Sequence, residues 1–196
     1  MSSPRAPLLW ETRAVPEVTD EAFKRFLKFP PTRELTGPMA EAAAEARAWY
    51  AQHGRPWGAA IATAPARWTA ACAELRATPA AALIAVGAGT EVADEAAARW
   101  ARDEPDRAYF LDRFAAAVTE ALLADAKRTL GATFHDCPGF WDWPITGNRD
   151  LLAALTAVAP LPGPLEVLDS GMLRPTTSQL ALCDRPEAPG GSGRDT

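Results

Sequence analysis

The chain has few of the residues that build disulfide frameworks or metal sites. Three of its 196 residues are cysteine and two are histidine. The cysteines are odd in number, lie far apart and never form a Cys-x-x-Cys pair, so the sequence predicts neither a disulfide framework nor a zinc knuckle. Two histidines are also too few for a histidine-rich transition-metal site. We therefore expect no metal cofactor.

The sequence also lacks an excess of positive charge and a long apolar run. Its formal net charge is −5, which offers no basic face to nucleic acid. The first ten residues lack the apolar centre of a secretory signal. No run approaches the roughly 20 apolar residues that a membrane-spanning helix needs. These absences predict a soluble, cytoplasmic protein with no nucleic-acid or membrane partner.

The composition is that of a globular domain, with 48% hydrophobic and 23% charged residues, and the chain is long enough to bury one hydrophobic core. Prolines near the start, without a helical period, predict an extended arm over residues 1–17. A Pro-, Gly- and Ser-rich stretch predicts a disordered tail over residues 184–196. The intervening residues 18–183 are predicted to form a single domain.

Helical and strand-like patterns alternate along this domain and predict an α+β (mixed α/β) fold, with a small mixed or antiparallel sheet flanked by helices. The run at 81–86 is apolar throughout, as expected of a central strand covered on both faces. The glycines at 87 and 89 do not complete a Gly-x-Gly-x-x-Gly dinucleotide-binding motif, because residue 92 is valine. Helices are predicted near 20–29, 38–52, 90–101, 105–130 and 148–158, with a possible helix near 68–75. Strands are predicted at 57–63, 81–86, 165–168 and 178–182, the last two being joined by a turn at 169–171.

The segment Phe134–Pro144 has the densest collection of chemically useful side chains. It holds His135, Cys137, Trp141 and Trp143 around a Pro-Gly turn. Because helices are predicted on both sides of it, we expect a loop held between rigid supports, where binding and chemistry concentrate.

Several local motifs, in this order and spacing, resemble the activation domain of cobalamin-dependent methionine synthase and its standalone relatives. The resemblance spans roughly residues 19–182. The motifs are the strand and turn Ala82–Gly87 with Glu91-Val92, the helix segments Arg107–Asp112 and Val118–Leu122, the loop Cys137–Pro144, and the turn Leu168–Pro175.

The resemblance implies a domain that binds S-adenosylmethionine in a shallow groove between the 134–144 loop, the long helix and the 169–175 turn. Glu120 matches the family's ligand-contacting glutamate and is expected to pair with the ligand's ammonium or sulfonium charge. Loop aromatic rings could stabilise a sulfonium by cation–π attraction. The remaining expected ligand-binding residues are Tyr109, Asp136, Cys137, Gly139, Phe140, Trp141, Trp143 and Ser170. Tyr109 also fits the apolar stripe of its helix, and Cys137 could equally be a small buried hydrophobe.

The chain departs from the family pattern at two positions and lacks the family's cobalamin-binding motif. His135 stands at the family's arginine and Phe140 at its tyrosine. Because histidine cannot replace the bidentate pairing of arginine with a carboxylate, the change suggests that the ligand's carboxylate is absent, masked or held elsewhere. His135 would then be a candidate general base, and His135 and Glu120 are the predicted catalytic residues. Alternatively, His135 simply braces the loop.

Two uses of the ligand follow from this interpretation. In the first, the protein is an enzyme acting on S-adenosylmethionine held as a thioester on an acyl or peptidyl carrier protein. Removal of the α-proton lets the carbanion close onto the γ-carbon, which releases methylthioadenosine and forms a 1-aminocyclopropane-1-carboxyl unit. The alternative is an accessory module that presents S-adenosylmethionine for reductive methylation of a corrinoid carried by another protein. A plain ligand-sensing module also remains open.

Overall fold

An antiparallel sheet forms the centre of the structure, a computed structural model that describes residues 8–185. Within that range the main sheet has five strands in the order β1-β2-β3-β7-β4, and a separate two-stranded sheet pairs β5 with β6. The fold class predicted from the sequence is thus confirmed. The strands are β1 Trp10–Thr12, β2 Trp57–Thr63, β3 Ala81–Gly87, β4 His135–Asp136, β5 Glu166–Val167, β6 Leu173–Arg174 and β7 Ser178–Asp184.

Helices cover both faces of the main sheet. In the described residues these are α1 Asp20–Phe26, α2 Pro38–His53, α3 Ala73–Arg76, α4 Glu91–Ala101, α5 Pro105–Leu130 and α6 Asn148–Val158. Their bounds lie close to the predicted ones, except that the possible helix near 68–75 is reduced to a 3-10 turn at Pro65–Arg67 and the single turn of α3.

Strand β3 divides the core in two. All seven of its residues are buried, and it pairs antiparallel with β2 on one side and β7 on the other. Because successive side chains of a strand point to opposite faces, Ile84 and Val86 pack in the cluster that contains α1, α2 and α5. Leu83 and Ala85 pack in the other cluster, with α6. The prediction of a central strand covered on both faces is confirmed.

The long helix α5 packs in one of the two cores along most of its length, and its middle turns form one wall of the candidate binding groove. Pro105 occupies its first turn, where the missing N–H costs no helical hydrogen bond. Gly131 closes it in the left-handed conformation with φ 69°, which glycine adopts without a Cβ clash. Phe110 is buried, whereas Tyr109 is exposed. The expectation that Tyr109 belongs to the apolar stripe is therefore wrong, because the buried face begins with Ala108, Phe110 and Leu111 instead.

The C-terminal third corrects several sequence-based expectations. The predicted strands at 165–168 and 178–182 do not pair with each other: β5 pairs with β6, and β7 joins the main sheet. Pro175 separates β6 from β7, and a proline has no N–H to continue a ladder. The predicted loop also begins with a short strand, because β4 pairs with Leu182 and Cys183 of β7. Asn148 is the first residue of α6, and its side-chain amide donates to the carbonyl of Gly171 over 3.0 Å.

The ends of the chain are described in part. Residues 10–12, inside the predicted N-terminal arm, are extended and form the edge strand β1 against β2. Strand β7 continues to Asp184, and the remainder of the predicted tail from residue 186 lies outside the described residues, as do residues 1–7. Along residues 8–185, the structure has no helix whose length and apolar content would suffice to cross a membrane.

Candidate functional site

A groove lies where α5, the 134–144 loop and the segment from residue 172 to 180 meet. Its cavity measures about 330 Å³. The sequence-based interpretation placed the site between the same helix, the same loop and the 169–175 turn, of which Met172 and Leu173 line this cavity. The lining includes Phe26, Ala116, Thr119, Glu120, Cys137, Pro138, Phe140, Ile145, Asn148, Met172, Leu173 and residues 176–180.

Helix α5 presents three residues to the groove at helical spacing. Ala116, Thr119 and Glu120 lie three and four positions apart, which places them on one face. Thr119 is buried, and its Oγ1 lies 3.0 Å from the carbonyl oxygen of Thr177. This contact joins α5 to the segment that precedes β7 and fixes the width of the groove.

The Glu120 carboxylate stands at the rim of the groove. Its side chain is 43% exposed, and its partner within ion-pair distance is Arg25, at 3.8 Å. Such an exposed pair contributes little stability. The carboxylate is consequently available to a cationic ligand group.

Cys137 forms part of the groove floor beside β7. It is buried, and Gln179 donates from Nε2 to its Sγ over 3.1 Å. Burial raises the pKa of the Cys137 thiol to about 12, and the Gln179 hydrogen bond only partly opposes this. The thiol is thus protonated at neutral pH and is a poor nucleophile, as expected of a small buried hydrophobe.

Asp136 and Gly139 shape the loop. The Asp136 carboxylate is buried and accepts hydrogen bonds from the backbone N–H of Cys72 and of Cys137, each over 2.9 Å. Both of its oxygens are therefore engaged by backbone. Gly139 has φ 94°, a conformation that favours glycine, and its N–H donates to the carbonyl of Trp143 over 2.8 Å.

The aromatic residues of the loop divide between core and solvent. Trp143 is 4% exposed and packs with Leu151 and Leu155. Phe140 is 60% exposed and lines the groove, while Trp141 is 85% exposed and lines the neighbouring cavity on the β4 side. Phe140 is therefore the loop ring that faces the groove, and Trp143 is a core residue.

Two further cavities continue from Glu120 toward the end of α5. The side cavity, about 480 Å³, and the end cavity, about 290 Å³, are both lined by Glu120, Lys127 and His135. The groove, the side cavity and the end cavity thus share Glu120 at their junction.

His135 is half-buried on β4, and its Nδ1 lies 3.0 Å from Nζ of Lys127. Burial lowers the pKa of His135, and the positive charge of Lys127 lowers it further against the opposing charges of Glu120 and Asp136. The imidazole is therefore neutral at neutral pH. Because an ammonium group can only donate, Nδ1 is the acceptor and the ring proton sits on Nε2.

The structure does not bring Tyr109 or Ser170 to the groove. Tyr109 lies eleven residues before Glu120 on α5, about 16 Å along the axis, and its ring packs near Phe110 and Arg113. The Ser170 Oγ accepts from the N–H of Met172 over 3.3 Å inside its turn. Met172 and Leu173, just beyond that turn, line the groove instead.

Sequence reasoning overlooked Lys127, Asn148, Met172 and Gln179. Lys127 carried a usable signal, because it follows Glu120 by seven residues and two helical turns bring it back to the same face. Gln179 follows Ser178 at the polar start of β7, before the apolar run 180–183. The position of Met172 depends on the pairing of β5 with β6, which the sequence pattern does not reveal.

No protein family and no curated protein matches the sequence. Among solved structures, the chain is similar to the crystal structure of the MetH reactivation domain bound to AdoHcy, with a TM-score of 0.68 and 12% sequence identity. The match covers 94% of this chain and 80% of that one. At this identity the similarity establishes the fold. The chain has the fold of the reactivation (activation) domain of methionine synthase, as the motif resemblance predicted.

Proposed function

We propose that the groove binds S-adenosylmethionine or S-adenosylhomocysteine. The observation that carries the proposal is the cavity between α5, the 134–144 loop and the segment before β7, in a fold whose solved neighbour holds AdoHcy. The carboxylate of Glu120 borders the groove and both adjoining cavities. An elongated ligand that extends from the groove into either adjoining cavity therefore passes this carboxylate.

The lining matches the parts of such a ligand. The groove offers hydroxyl and amide groups from Thr176, Ser178 and Gln179 beside apolar side chains, a mixture suited to a nucleoside. The ligand's ammonium group would pair with Glu120 in a charge-assisted hydrogen bond. The exposed ring of Phe140 can face a sulfonium and attract it by cation–π interaction.

Titration calorimetry tests this proposal. The wild-type protein should bind S-adenosylmethionine and S-adenosylhomocysteine, and Glu120→Gln should weaken both by about tenfold or more, because it removes a hydrogen bond to a charged group. The matched control is Glu41→Gln, at an exposed position of α2 outside the three cavities. Absence of binding to the wild-type protein, or an equal loss in both variants, would contradict the proposal.

As a proposal for turnover, the ligand is consumed by ring closure. A base removes the α-proton, and the electron pair left on Cα forms a bond to Cγ. The Cγ–S bond breaks with its electron pair on sulfur, so the sulfonium leaves as neutral methylthioadenosine and a 1-aminocyclopropane-1-carboxyl unit remains. A thioester to an acyl or peptidyl carrier protein would make the α-proton more acidic. Support for this proposal comes from His135 and Glu120 lining the same cavities.

The contacts of His135 set a condition on that reaction. Its Nδ1 accepts from Lys127, so the imidazole can accept a substrate proton only after Lys127 moves away. The second use of the ligand, presentation to a corrinoid on a partner protein, needs no base.

One incubation separates the two uses. The protein is mixed with free S-adenosylmethionine and, in parallel, with its pantetheine or carrier-protein thioester, and the products are followed by mass spectrometry. Release of methylthioadenosine from the thioester, with a matching ring-closed acyl product, would establish the cyclase. If His135→Ala kept the full rate, His135 would not be the base. Recovery of both compounds intact, with binding of the free one, would support the accessory role.

A further inference from the structure

Lys127 carries a charge that the described protein does not neutralise. It is half-buried on α5, and in residues 8–185 no ion pair involves it. The two acidic residues that precede it most closely on the helix are Asp125 and Glu120, and these pair with Arg128 and Arg25 instead. An ammonium group that lines a cavity and has no carboxylate partner there can pair with an anionic group that arrives from outside.

His135 holds this ammonium group in place. The 3.0 Å contact uses one of its three N–H donors, and two remain. The neutral imidazole contributes a further donor through Nε2–H. Lys127 and His135 together thus present N–H groups and one net positive charge to the side and end cavities that both of them line.

Glu120 supplies the opposite charge at the other side of the same cavities. Glu120 and Lys127 lie two helical turns apart on one face of α5, and the charges of both act on His135 between them. A carboxylate and an ammonium group that face one cavity are complementary to the ammonium and carboxylate groups of a free α-amino acid. Neither charge of such a zwitterion would be buried unpaired.

We propose that Lys127, positioned by His135, binds the free carboxylate at the amino-acid end of the ligand. This inference rests on the proposed binding of an adenosyl amino acid and deepens it. It makes Lys127 a specificity-determining residue and His135 a positioning residue. The site would select ligands with an ionised carboxylate over methylthioadenosine, which has no amino-acid end.

The same pairing bears on the carrier-bound ligand. A thioester carries no negative charge, so it leaves Lys127 without a partner. The absence of an arginine at position 135 therefore does not by itself require a masked carboxylate, because Lys127 places a positive charge beside that position.

A comparison of three ligands tests the inference by calorimetry. The ligands are S-adenosylhomocysteine, its carboxamide, which keeps the ammonium group but loses the carboxylate charge, and methylthioadenosine. The wild-type protein should prefer the acid over the carboxamide by about tenfold or more, as expected of a hydrogen bond between charged groups. Lys127→Met should abolish that preference with little change in carboxamide binding, and Lys127→Arg should retain it.

Two further variants complete the experiment. Lys28→Met removes an equal charge at an exposed position outside the cavities and should keep the full preference. His135→Ala should reduce the preference without a matching loss of methylthioadenosine binding, a selectivity change that a purely structural brace would not produce.

The outcomes are distinguishable. If the wild-type protein binds none of the three ligands, the proposed function fails and this inference falls with it. If it binds the acid and the carboxamide equally well, the proposed function stands and the role of Lys127 is overturned. An unchanged preference in Lys127→Met also overturns it. Should Lys127→Met fail to fold, the wild-type preference and its retention in Lys127→Arg decide the matter.

Discussion

Two cationic side chains of this protein, Arg99 and Lys127, sit in opposite kinds of surroundings. Arg99 is 3% exposed and is enclosed by carboxylates, with Glu95 at 2.7 Å and Glu45 at 3.1 Å. Lys127 is half-buried and its hydrogen-bond partner is the neutral ring of His135. The protein neutralises the first charge by itself, and we propose that a ligand neutralises the second. A charge that is paired within the protein indicates a structural role, whereas an unpaired charge beside a cavity indicates a binding role.

The same contrast separates two tryptophans of the 134–144 loop. Trp143 is buried in the core, whereas Trp141, two residues earlier in the chain, is exposed to solvent. Trp141 thus lies on the cavity side of the loop, and Trp143 lies on its core side. The predictions below test this division, beginning with the largest expected effect.

Replacement of Trp143 by alanine should lower the free energy of unfolding by about 3–5 kcal/mol, because it leaves a large cavity in the core. Replacement of Trp141 by alanine should change it by less than about 0.5 kcal/mol, since the side chain is exposed. Urea unfolding followed by circular dichroism measures both. Similar losses in the two variants would contradict the division of the loop.

Replacement of Arg99 by methionine should cost about 1.5–3 kcal/mol of unfolding free energy, because it removes the hydrogen-bonded charge that Glu45 and Glu95 share. Arg107 and Arg102 remain as their other partners. Burial favours the neutral acid at Glu95, but hydrogen bonds from Arg99 and Arg102 hold its pKa below the ordinary value. Lys127→Met should cost under about 1 kcal/mol, since it breaks no ion pair with a described residue. The same unfolding experiment applies, and a reversed order would refute the contrast.

Replacement of Phe140 by alanine should weaken binding of S-adenosylmethionine more than that of S-adenosylhomocysteine. The sulfonium of the first is attracted to the ring by about 0.5–2 kcal/mol, and the uncharged thioether of the second is not. We expect a change in the affinity ratio of about threefold or more, measured by calorimetry. Trp100→Ala, at an exposed position of α4 outside the three cavities, is the matched control and should leave the ratio unchanged. Equal shifts in both variants would remove Phe140 from the site.

The smallest expected effect concerns the titration of His135. Burial and the charge of Lys127 both lower the pKa of His135, because an imidazolium beside an ammonium group is disfavoured. Lys127→Met removes the second cause, so the pKa of His135 should rise in this variant. Nuclear magnetic resonance titration of the imidazole measures it, with Lys28→Met as control. An unchanged or lower pKa would mean that the two side chains do not contact each other in solution.

Much of the fold could be read from the sequence because its signals are local. The apolar run of β3, Pro105 at the start of α5 and Gly131 at its end act through neighbouring residues, and those elements were predicted correctly. The pairing of β5 with β6 depends on contacts between distant residues. Local patterns do not contain that information, so the two closing strands were paired wrongly.

The candidate site shows the same limit at finer scale. Glu120 was singled out by motif resemblance, and the 134–144 loop both by that resemblance and by its concentration of His, Cys and Trp side chains. Sequence spacing alone does not determine which way a side chain points. It therefore could not show that Trp143 is buried, or that the Asp136 carboxylate accepts hydrogen bonds from the backbone of Cys72 and Cys137. Lys127 was overlooked because lysines on helices are common and usually solvated. The role proposed for it depends on β4, which brings His135 into contact with it.

The central claim is that the groove binds an adenosyl amino acid beside Glu120, and a crystal structure of the protein with S-adenosylhomocysteine tests it most directly. The account predicts density for the ligand between α5, the 134–144 loop and β7, with its ammonium nitrogen about 3 Å from a Glu120 carboxylate oxygen. A ligand bound elsewhere on the protein, or an empty groove at saturating ligand, would contradict the claim.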